Sequence, residues 1–287
     1  FKAHHANRDS VASRGLGDVY KRQKIWSLLM KILIPMAGRG KRFEDAGYSF
    51  PKPLIDINGK TMIQIIIENL NFSAEHILIC QKEHYEKYAL KELLDLITPN
   101  CKIIQVSEIT EGAACTALLS KESINNDEEL IIANSDQWVN WNNQHFLSFL
   151  RDNDADGGIV TFYSTHPKWS FVKLDDEGKV TIVAEKKPIS NIATVGIYYF
   201  KKGKYFVEAA EQMIGKNIRT NNEFYIAPVY NEMIQSNKKI LNYPIAEMRG
   251  LGTPEDLSKF MENIDKKQVA TESVSYTHLT LPTNREV

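Results

Sequence analysis

The sequence predicts an α/β domain in which a mixed, mainly parallel β-sheet is flanked by helices. Short apolar segments alternate with amphipathic ones up to about residue 136, and β-rich segments follow after about residue 155. Alternating strands and helices are typical of βαβ units, whose parallel strands are buried between helices. Of the 287 residues 43% are hydrophobic and 25% charged, so the chain has ample material for a core.

The first half is expected to contain alternating strands and helices. Apolar segments predict strands at residues 31–37, 76–80, 102–107 and 129–136. Segments between them predict helices at residues 61–72, 83–97 and 112–121. In the first helix the apolar side chains at positions 62, 63, 66, 67 and 70 share one face, and the turn Asn58-Gly59 precedes it.

The second half is expected to add β-structure before it returns to helices. Strands are predicted at residues 157–165, 171–175, 179–185 and 193–200, with a hairpin turn at 176–179. Helices are predicted at 203–215 and at 222–235, the latter interrupted by Pro228, and a strand at 239–245. Thr253 as N-cap and Pro254 as first helical residue predict a final helix.

Composition and charge exclude several classes of partner. The net charge is −1, so no strongly basic face is expected and we do not predict nucleic acid as a partner. No apolar run reaches the roughly 18 residues of a membrane span. Cys80, Cys101 and Cys115 are odd in number and lie in apolar segments, which predicts buried thiols in a reducing, cytoplasmic compartment. The sequence leaves open whether the protein forms a homo-oligomer.

Both ends of the chain lack apolar periodicity. The pieces "RGLGDVYKRQ" and "VSYTHLTLPTNREV" resemble translated sequencing-adaptor read-through. We therefore expect one folded domain at residues 30–268, with non-native or disordered tails at residues 1–29 and 269–287.

A glycine-rich loop with several cations follows the first predicted strand, in the stretch "IPMAGRGKRFEDAGYSFPKPLIDINGKT" (residues 34–61). A dinucleotide fingerprint fails because Phe43 takes the place of its third glycine. A Walker A loop fails because Leu54 stands where the first glycine would precede Gly59-Lys60-Thr61. The pattern that neither template explains is A-G-x-G-x-R-F, followed by P-K-P-L and then by N-G-K.

This stretch resembles the signature of the sugar-phosphate nucleotidyltransferases, the NDP-sugar pyrophosphorylases, with Thr61 in place of the usual proline. The resemblance implies a Rossmann-like, GT-A-like sheet and transfer of a nucleotidyl group from an NTP to a phosphorylated acceptor. Glycines let backbone amides approach a triphosphate, and Arg42 offers phosphate oxygens a planar fork. Lys52 lies between two prolines, which stiffens its backbone.

The resemblance extends over roughly residues 30–265 and implies further site residues. "EGAACTALL" is similar to the family's nucleobase-reading "QGTA" loop, and "IIANSDQW" to the strand that ends in "GD". Asp136 would then bind Mg²⁺ at the carboxyl end of a parallel strand, although a single aspartate there also fits an ordinary loop start. The implied catalytic residues are Arg42, Lys52 and Asp136. The implied nucleotide-binding residues are Ala37, Gly38, Gly40, Glu111, Gly112 and Ala113.

The segment "AEKKPISNIATVGIYYF" resembles the family's acceptor-binding E-K-P strand and the glycine-bearing strand after it. It implies Glu185, Lys186 or Lys187, and Gly196 as acceptor-binding residues. In an extended strand the two lysines point to opposite faces, so only one can reach the site, and we expect Lys186. Gly196 is expected to leave room for a sugar ring, with a strand bulge as the alternative.

One departure affects the metal site. The family often ends with W-x-D-T-G-T-P, whose aspartate is a second metal ligand, but this chain has Gly250 there. We therefore expect Asp136 to be the only strong protein ligand of Mg²⁺, with Glu247 as a weaker candidate.

The predicted function is nucleotidyl transfer to a sugar phosphate for surface polysaccharide or lipid-linked glycan precursors. One alternative is a cytidylyltransferase for a non-sugar phosphate such as phosphocholine, because "EDAGYSF" stands where "PLT" is usual. Another is a non-catalytic nucleotide-sugar-binding regulatory protein, which Gly250 favours and Arg42, Lys52 and Asp136 disfavour. A glycosyltransferase would need a D-x-D motif, whose first aspartate "NSDQW" lacks.

Overall fold

The computed structural model describes residues 30–263, which form a nine-stranded mixed sheet between two layers of helices. The strands are β1 (Met30–Pro35), β2 (Asp56–Ile57), β3 (Lys60–Thr61), β4 (Glu75–Gln81), β5 (Lys102–Val106), β6 (Glu129–Ala133), β7 (Gln137–Asn140), β8 (Gly157–Tyr163), β9 (Ser170–Leu174), β10 (Val180–Glu185), β11 (Ile192–Phe200), β12 (Ile240–Pro244) and β13 (Glu247–Gly250). The helices are α1 (Lys41–Asp45), α2 (Met62–Leu70), α3 (Lys82–Lys87), α4 (Leu90–Ile97), α5 (Ala113–Leu118), α6 (Lys121–Ile124), α7 (Asn143–Asp152), α8 (Gly203–Gly215) and α9 (Val229–Gln235). A 3₁₀ turn spans Lys52–Leu54, and residues 254–263 are helical.

The order of strands in the large sheet confirms the predicted fold class. The path runs β10-β9-β11-β6-β1-β4-β5, and β8 pairs with both β11 and β12. The strands of the first half, β6, β1, β4 and β5, are parallel, whereas β11 is antiparallel to β6, β8 and β9. The parallel strands place their carboxyl ends at one edge, where ligands bind in open α/β sheets.

The core lies on both faces of this sheet. Side chains alternate along β1, so that Ile32 and Ile34 pack into one cluster with α2 and α7, while Leu33 packs into the other with α8 and α9. All three side chains are fully buried. A strand buried on both faces reads as a continuous apolar run, which is why β1 was recognisable in the sequence.

Two predicted helices differ from the structure. The helix expected at 83–97 is two helices, α3 and α4, because Ala89 between them has a left-handed φ of 47°. The helix expected at 222–235 begins only at Val229. Its expected first turns are disfavoured before Pro228, and the backbone of Phe224 bonds instead to Glu111 and Ala114.

Several elements escaped the sequence analysis. They are the short helices α1 and α6, the two-residue strands β2 and β3, the paired strands β7 and β13, and the helix α7. The signal for α7 was present, since the side chain of Asn142 accepts a hydrogen bond from the amide of His145 at 2.9 Å as an N-cap.

Local turn and cap predictions are confirmed. Asn58 and Gly59 both have positive φ and join β2 to β3, the backbone that an Asn-Gly hairpin turn requires. Thr61, which the sequence analysis had not predicted as a cap, caps α2 with its hydroxyl 3.4 Å from the amide of Gln64. Thr253 caps the helix of residues 254–263 by accepting from the amide of Asp256 at 3.1 Å.

The cysteine prediction is confirmed only in part. All three thiols are free, but only Cys80 is buried, while Cys101 and Cys115 are half-buried. Burial raises the pKa of Cys80 to about 11. Within residues 30–263, every helix is too short or too polar to cross a bilayer. The predicted tails, and the domain end at residue 268, lie outside the described residues.

Candidate active site

A cavity of about 580 Å³ lies at the carboxyl edge of the parallel strands. Its size suits a small-molecule ligand. Charged side chains of both signs, backbone glycines and aromatic rings line it, namely Gly40, Lys41, Arg42, Phe43, Lys52, Ala113, Asn134, Asp136, Gln137, Lys168, Trp169, Ser170, Glu185, Lys186, Thr194, Gly196, Tyr198, Tyr225, Ile226, Ala227, Gly250, Gly252, Thr253 and Asp256.

The glycine loop between β1 and α1 forms one wall. Gly40 has a left-handed φ of 65°, and a Cβ there would lie 3.2 Å from the Cβ of Lys52, so the position favours glycine. The side-chain amide of Gln81 donates to the carbonyls of Ala37 and Gly38 at 3.0 and 3.2 Å. Gln81 therefore fixes the start of the loop, and the sequence analysis had not identified it.

The predicted residues of this loop take different positions. Gly40 and Arg42 line the main cavity, whereas Gly38 lines a smaller cavity of about 180 Å³ that also borders Lys52 and Asp136. Ala37 is buried and lines neither.

Lys52 and Asp136 form an ion pair inside the cavity. The ammonium of Lys52 lies 2.5 Å from a carboxylate oxygen of Asp136, and the two side chains are only 20% and 22% exposed. Asp136 follows β6, and its carbonyl accepts from the amide of Leu251 at 2.7 Å. A Cβ at Gly252 would come within 2.8 Å of the Asp136 carboxylate, so this glycine leaves the space that the carboxylate occupies.

Asp136 is suited to a metal ion that takes few protein ligands. Within the described part of the chain, no group of three or more His, Cys, Asp or Glu side chains could hold a metal ion. Among the described residues, at most one further side chain of these types could therefore join Asp136 at a metal ion. Mg²⁺ commonly binds one or two carboxylates and completes its shell with phosphate oxygens and water, so the residues present fit this ion.

The loop before α5 is fixed by its backbone. Gly112 has φ 132°, and a Cβ there would lie 2.4 Å from the carbonyl oxygen and 2.5 Å from the amide nitrogen of Phe224. The amide of Phe224 donates to Glu111 at 2.8 Å, and the amide of Ala114 donates to Phe224 at 2.9 Å. Of the three residues predicted here, only Ala113 lines the cavity.

The side chain of Glu111 is directed away from that cavity. Its carboxylate pairs with Arg219 and is 65% exposed. The guanidinium of Arg219 also lies 4.0 Å from the centre of the Phe224 ring. Arg219 and Phe224 thus hold the loop from outside, a role that no local pattern in the sequence indicated.

The predicted acceptor residues lie at the end of β10. The hydroxyl of Ser170 donates to Glu185, and burial raises the pKa of Glu185 although this hydrogen bond opposes the shift. Lys186 lines the cavity, with its ammonium 4.5 Å from the centre of the Tyr225 ring and bonded to the Tyr225 hydroxyl. Lys187 is exposed and lies outside the lining.

The structural reason for these two positions differs from the one expected. The alternation of an extended strand does not separate Lys186 from Lys187, because β10 ends at Glu185 and Lys186 has a left-handed φ of 52°. The turn at Lys186, and not strand periodicity, directs its side chain to the cavity.

Gly196 lines the main cavity, and a Cβ at this position would meet protein side chains. It has φ 80°, and a Cβ there would lie 2.2 Å from the Gln137 side-chain oxygen and 2.3 Å from the Asn134 side-chain nitrogen. The alternative prediction, a bulge, agrees with the register shift between Thr194 and Tyr198. Among the described residues, the buried side-chain oxygen of Gln137 has no hydrogen-bond partner.

A third carboxylate, Asp256, faces the cavity beside Gly250. Its oxygen lies 3.5 Å from where a Cβ at Gly250 would be, and the Trp169 ring lies 3.4 Å from the same point. Glu247, the expected weaker metal candidate, instead pairs with Arg249 at 2.5 Å and lies outside the lining. Asn134, Gln137 and Asp256 are thus cavity residues that the sequence analysis missed, the first two although they flank Asp136.

A glycine loop, a lysine–carboxylate pair and a polar cavity at the carboxyl edge of a parallel sheet are typical of α/β proteins that handle nucleotides. The chain belongs to the nucleotidyl transferase family, whose profile matches residues 31–267. This agrees with the resemblance found in the sequence.

Individual relatives are similar to this chain at moderate identity. Bifunctional protein GlmU of Methanocaldococcus jannaschii is 28% identical over 177 residues, which cover 60% of this chain and 40% of that protein. Mannose-1-phosphate guanylyltransferase 1 of Arabidopsis thaliana is 28% identical over 177 residues, which cover 59% of this chain and 49% of that protein. The chain thus spans less than half the length of these curated relatives.

Solved structures extend the similarity over most of the chain. A nucleoside-diphosphate-sugar pyrophosphorylase from Vibrio cholerae RC9 has a TM-score of 0.69 at 25% identity, over 80% of this chain and 99% of that one. The inositol-1-phosphate CTP transferase from T. maritima has a TM-score of 0.66 at 13% identity, over 84% of this chain and 96% of that one. The second likeness shows the fold alone.

Proposed function

We propose that this protein is a sugar-phosphate nucleotidyltransferase, which joins an NTP to a phosphorylated acceptor and releases pyrophosphate. The observation that carries the proposal is the convergence of Arg42, Lys52 and Asp136 on one cavity, together with the acceptor candidates Glu185 and Lys186. Membership of the nucleotidyl transferase family supports the same reaction class. The names of the relatives support a sugar phosphate as acceptor.

The reaction needs positioning and charge neutralisation more than it needs a base. An oxygen of the acceptor phosphate attacks the α-phosphorus of the NTP in line, and the bond from that phosphorus to the bridging oxygen of the β-phosphate breaks. A phosphate monoester is already an anionic nucleophile, so its activation requires no strong base. Preorganised cations around the reacting phosphates are therefore the main catalytic contribution of the protein.

Each wall of the cavity has a role in this scheme. Asp136 would hold Mg²⁺, which supplies charge neutralisation at the phosphates when bound. Lys52 lies beside Asp136 and binds the α-phosphate, while Arg42 and the backbone amides of residues 38–40 bind the leaving pyrophosphate. The loop of residues 111–113 borders the nucleobase. Glu185 and Lys186 bind the acceptor, and Lys186 is favoured over Lys187 because only Lys186 lines the cavity.

The product would serve as a precursor for surface polysaccharide or lipid-linked glycan synthesis. We place the reaction in the cytoplasm, and three free thiols suit such a reducing compartment. A homo-oligomer is compatible with this scheme.

The test is a pyrophosphate-release screen of the common NTPs and dTTP against sugar phosphates and amino-alcohol phosphates, with Mg²⁺ present. We expect one nucleotide to react with one sugar phosphate or a small set of them. Release only with an amino-alcohol phosphate would replace the sugar acceptor in the proposal. Binding of nucleotide sugars without any release would identify a regulatory protein and refute the proposed reaction.

A further inference from the structure

We propose that Lys168 is a second cation for the acceptor phosphate and acts together with Lys186. The inference rests on the proposed function, because it assigns the phosphate-binding end of the acceptor site. Neither the sequence pattern nor the comparisons singled out Lys168.

Lys168 and Lys186 leave the chain at neighbouring positions. Lys168 precedes Trp169, and the amide of Lys186 donates to the Trp169 carbonyl at 3.0 Å. That bond continues the β9–β10 ladder past the pair Ser170 and Glu185. Both lysines line the main cavity.

The two lysines are held in the same manner. The ammonium of Lys168 lies 4.5 Å from the centre of the Trp169 ring, and that of Lys186 lies 4.5 Å from the centre of the Tyr225 ring. Such cation–π contacts restrain a flexible ammonium without using its hydrogens for strong hydrogen bonds. Both cations are therefore positioned before a ligand arrives, which lowers the entropy lost on binding.

The ion pair of Lys168 with Asp256 leaves capacity for a ligand. The ammonium lies 3.1 and 3.3 Å from the two carboxylate oxygens, and the Lys168 side chain is 40% exposed. An ammonium has three N–H donors, so hydrogens remain for phosphate oxygens after the bond to Asp256. An ion pair this exposed contributes little to the stability of the fold, so stabilisation does not explain why Lys168 and Asp256 lie in the cavity.

The charge of the acceptor calls for more than one cation. A phosphate monoester carries about −1.5 to −2 charges at neutral pH. In the proposed scheme, Lys52 binds the α-phosphate and Arg42 binds the leaving pyrophosphate. Lys186 alone would neutralise about half of the acceptor charge, and Lys168 supplies the remainder.

The position of Lys168 also fits the point of transfer. Its partner Asp256 lies beside Gly250, and Asp136 lies beside Gly252. Gly250 and Gly252 are two residues apart, so they are separated by at most about 7 Å. The Lys168–Asp256 and Lys52–Asp136 pairs are thus close enough to flank one acceptor phosphate and the α-phosphate that it attacks.

The kinetic test compares Lys168→Gln with the matched control Lys173→Gln, an exposed lysine on β9 outside the cavity. With the substrates found in the pyrophosphate screen, we expect Lys168→Gln to raise the KM of the acceptor about tenfold, the effect of a charged hydrogen bond. The KM of the NTP should change less than twofold, the control should match wild type, and Lys168→Arg should restore most of the loss. An unchanged acceptor KM in Lys168→Gln would overturn the inference while the proposed function stands.

A binding test separates this inference from the proposed function. Inorganic phosphate and glucose 1-phosphate are titrated into the full chain, with tryptophan fluorescence as the readout and Trp169→Phe to identify the Trp169 signal. If no substrate pair releases pyrophosphate, the proposed function fails, and weaker phosphate binding in Lys168→Gln than in the control still supports the inference. Equal binding by both variants, or no binding by wild type, refutes it.

Discussion

The cavity wall that we propose to bind the nucleotide and the wall that we propose to bind the acceptor, called here the nucleotide wall and the acceptor wall, are built in different ways. On the nucleotide wall, backbone approaches backbone or a fixed Cβ, with Gly40 against Lys52 and Gly112 against Phe224. On the acceptor wall, side chains at strand ends define the surface, with Lys168 over Trp169 and Lys186 over Tyr225. A backbone-built wall suits a phosphate chain common to all NTPs, while a side-chain wall can vary with the acceptor.

The largest expected effect is on the nucleotide wall. Asp136→Asn should lower kcat by about 10³-fold, because it removes the carboxylate proposed to hold Mg²⁺ at the developing charge. Thermal unfolding should stay close to wild type, since Asp136 is partly exposed and its ion pair is with a single lysine. Steady-state kinetics with the screened substrates would measure the loss. Wild-type turnover would show that Mg²⁺ is held elsewhere.

Removing either cation of the nucleotide wall should lower activity less than Asp136→Asn does. Arg42→Ala and Lys52→Ala are each expected to lower kcat/KM by about 10²-fold, the scale for losing one charge partner of the transition state. Glu247→Gln serves as the control, because Glu247 pairs with Arg249 outside the cavity. If both alanine variants turn over at near wild-type rates, the assignment of this wall is wrong.

Glycine substitutions compare the two walls directly. Gly112→Ala should lower the free energy of unfolding by about 2 kcal/mol, because its Cβ meets the Phe224 backbone, which cannot move aside. Gly196→Ala should lower it by about 1 kcal/mol, because its Cβ meets the side chains of Asn134 and Gln137, which can change rotamer. Urea unfolding gives both values. A larger loss for Gly196→Ala would contradict the distinction between the walls.

The smallest effect concerns Glu185 on the acceptor wall. Burial raises its pKa, so the ionised carboxylate disfavours the folded state; this cost is absent below the ordinary pKa and complete above the raised one. Glu185→Gln, which can still accept from Ser170, should therefore be slightly more stable than wild type at pH 7.5. The difference should disappear as the pH falls to about 4, near the pKa of an unperturbed Glu. Equal stability at both pH values would show that burial does not disfavour the charge.

The difference between a wall built from one short stretch and a wall built from distant segments also explains which site residues the sequence could predict. The glycine loop, Arg42 and Lys52 lie within one short stretch, and Asp136 lies three residues after the end of β6, so short motifs were enough to predict them as site residues. Buried strands and capped helices were recognisable for the same reason. Lys168, Tyr225 and Asp256 lie in three separate segments, and only the packing of β9, the segment before α9 and the helix of residues 254–263 brings them together.

Tertiary contacts also override local preference at the segment before α9. Residues 222–228 carry a pattern compatible with a helix, yet the Phe224 backbone bonds to Glu111 and Ala114. The position of Lys186 was anticipated, but for the wrong reason, since its left-handed turn could not be inferred from strand alternation.

The Lys52–Asp136 pair has a consequence for selectivity in the proposed reaction. A free phosphate that draws Lys52 away would leave Asp136 without its counter-charge, and a free metal ion that draws Asp136 away would leave Lys52 without its own. Binding of a phosphate alone or of a metal ion alone therefore has an unfavourable electrostatic free energy. A metal–nucleotide complex supplies both replacement charges at once, so the resting site discriminates in favour of the assembled complex over free metal, free nucleotide and stray phosphate.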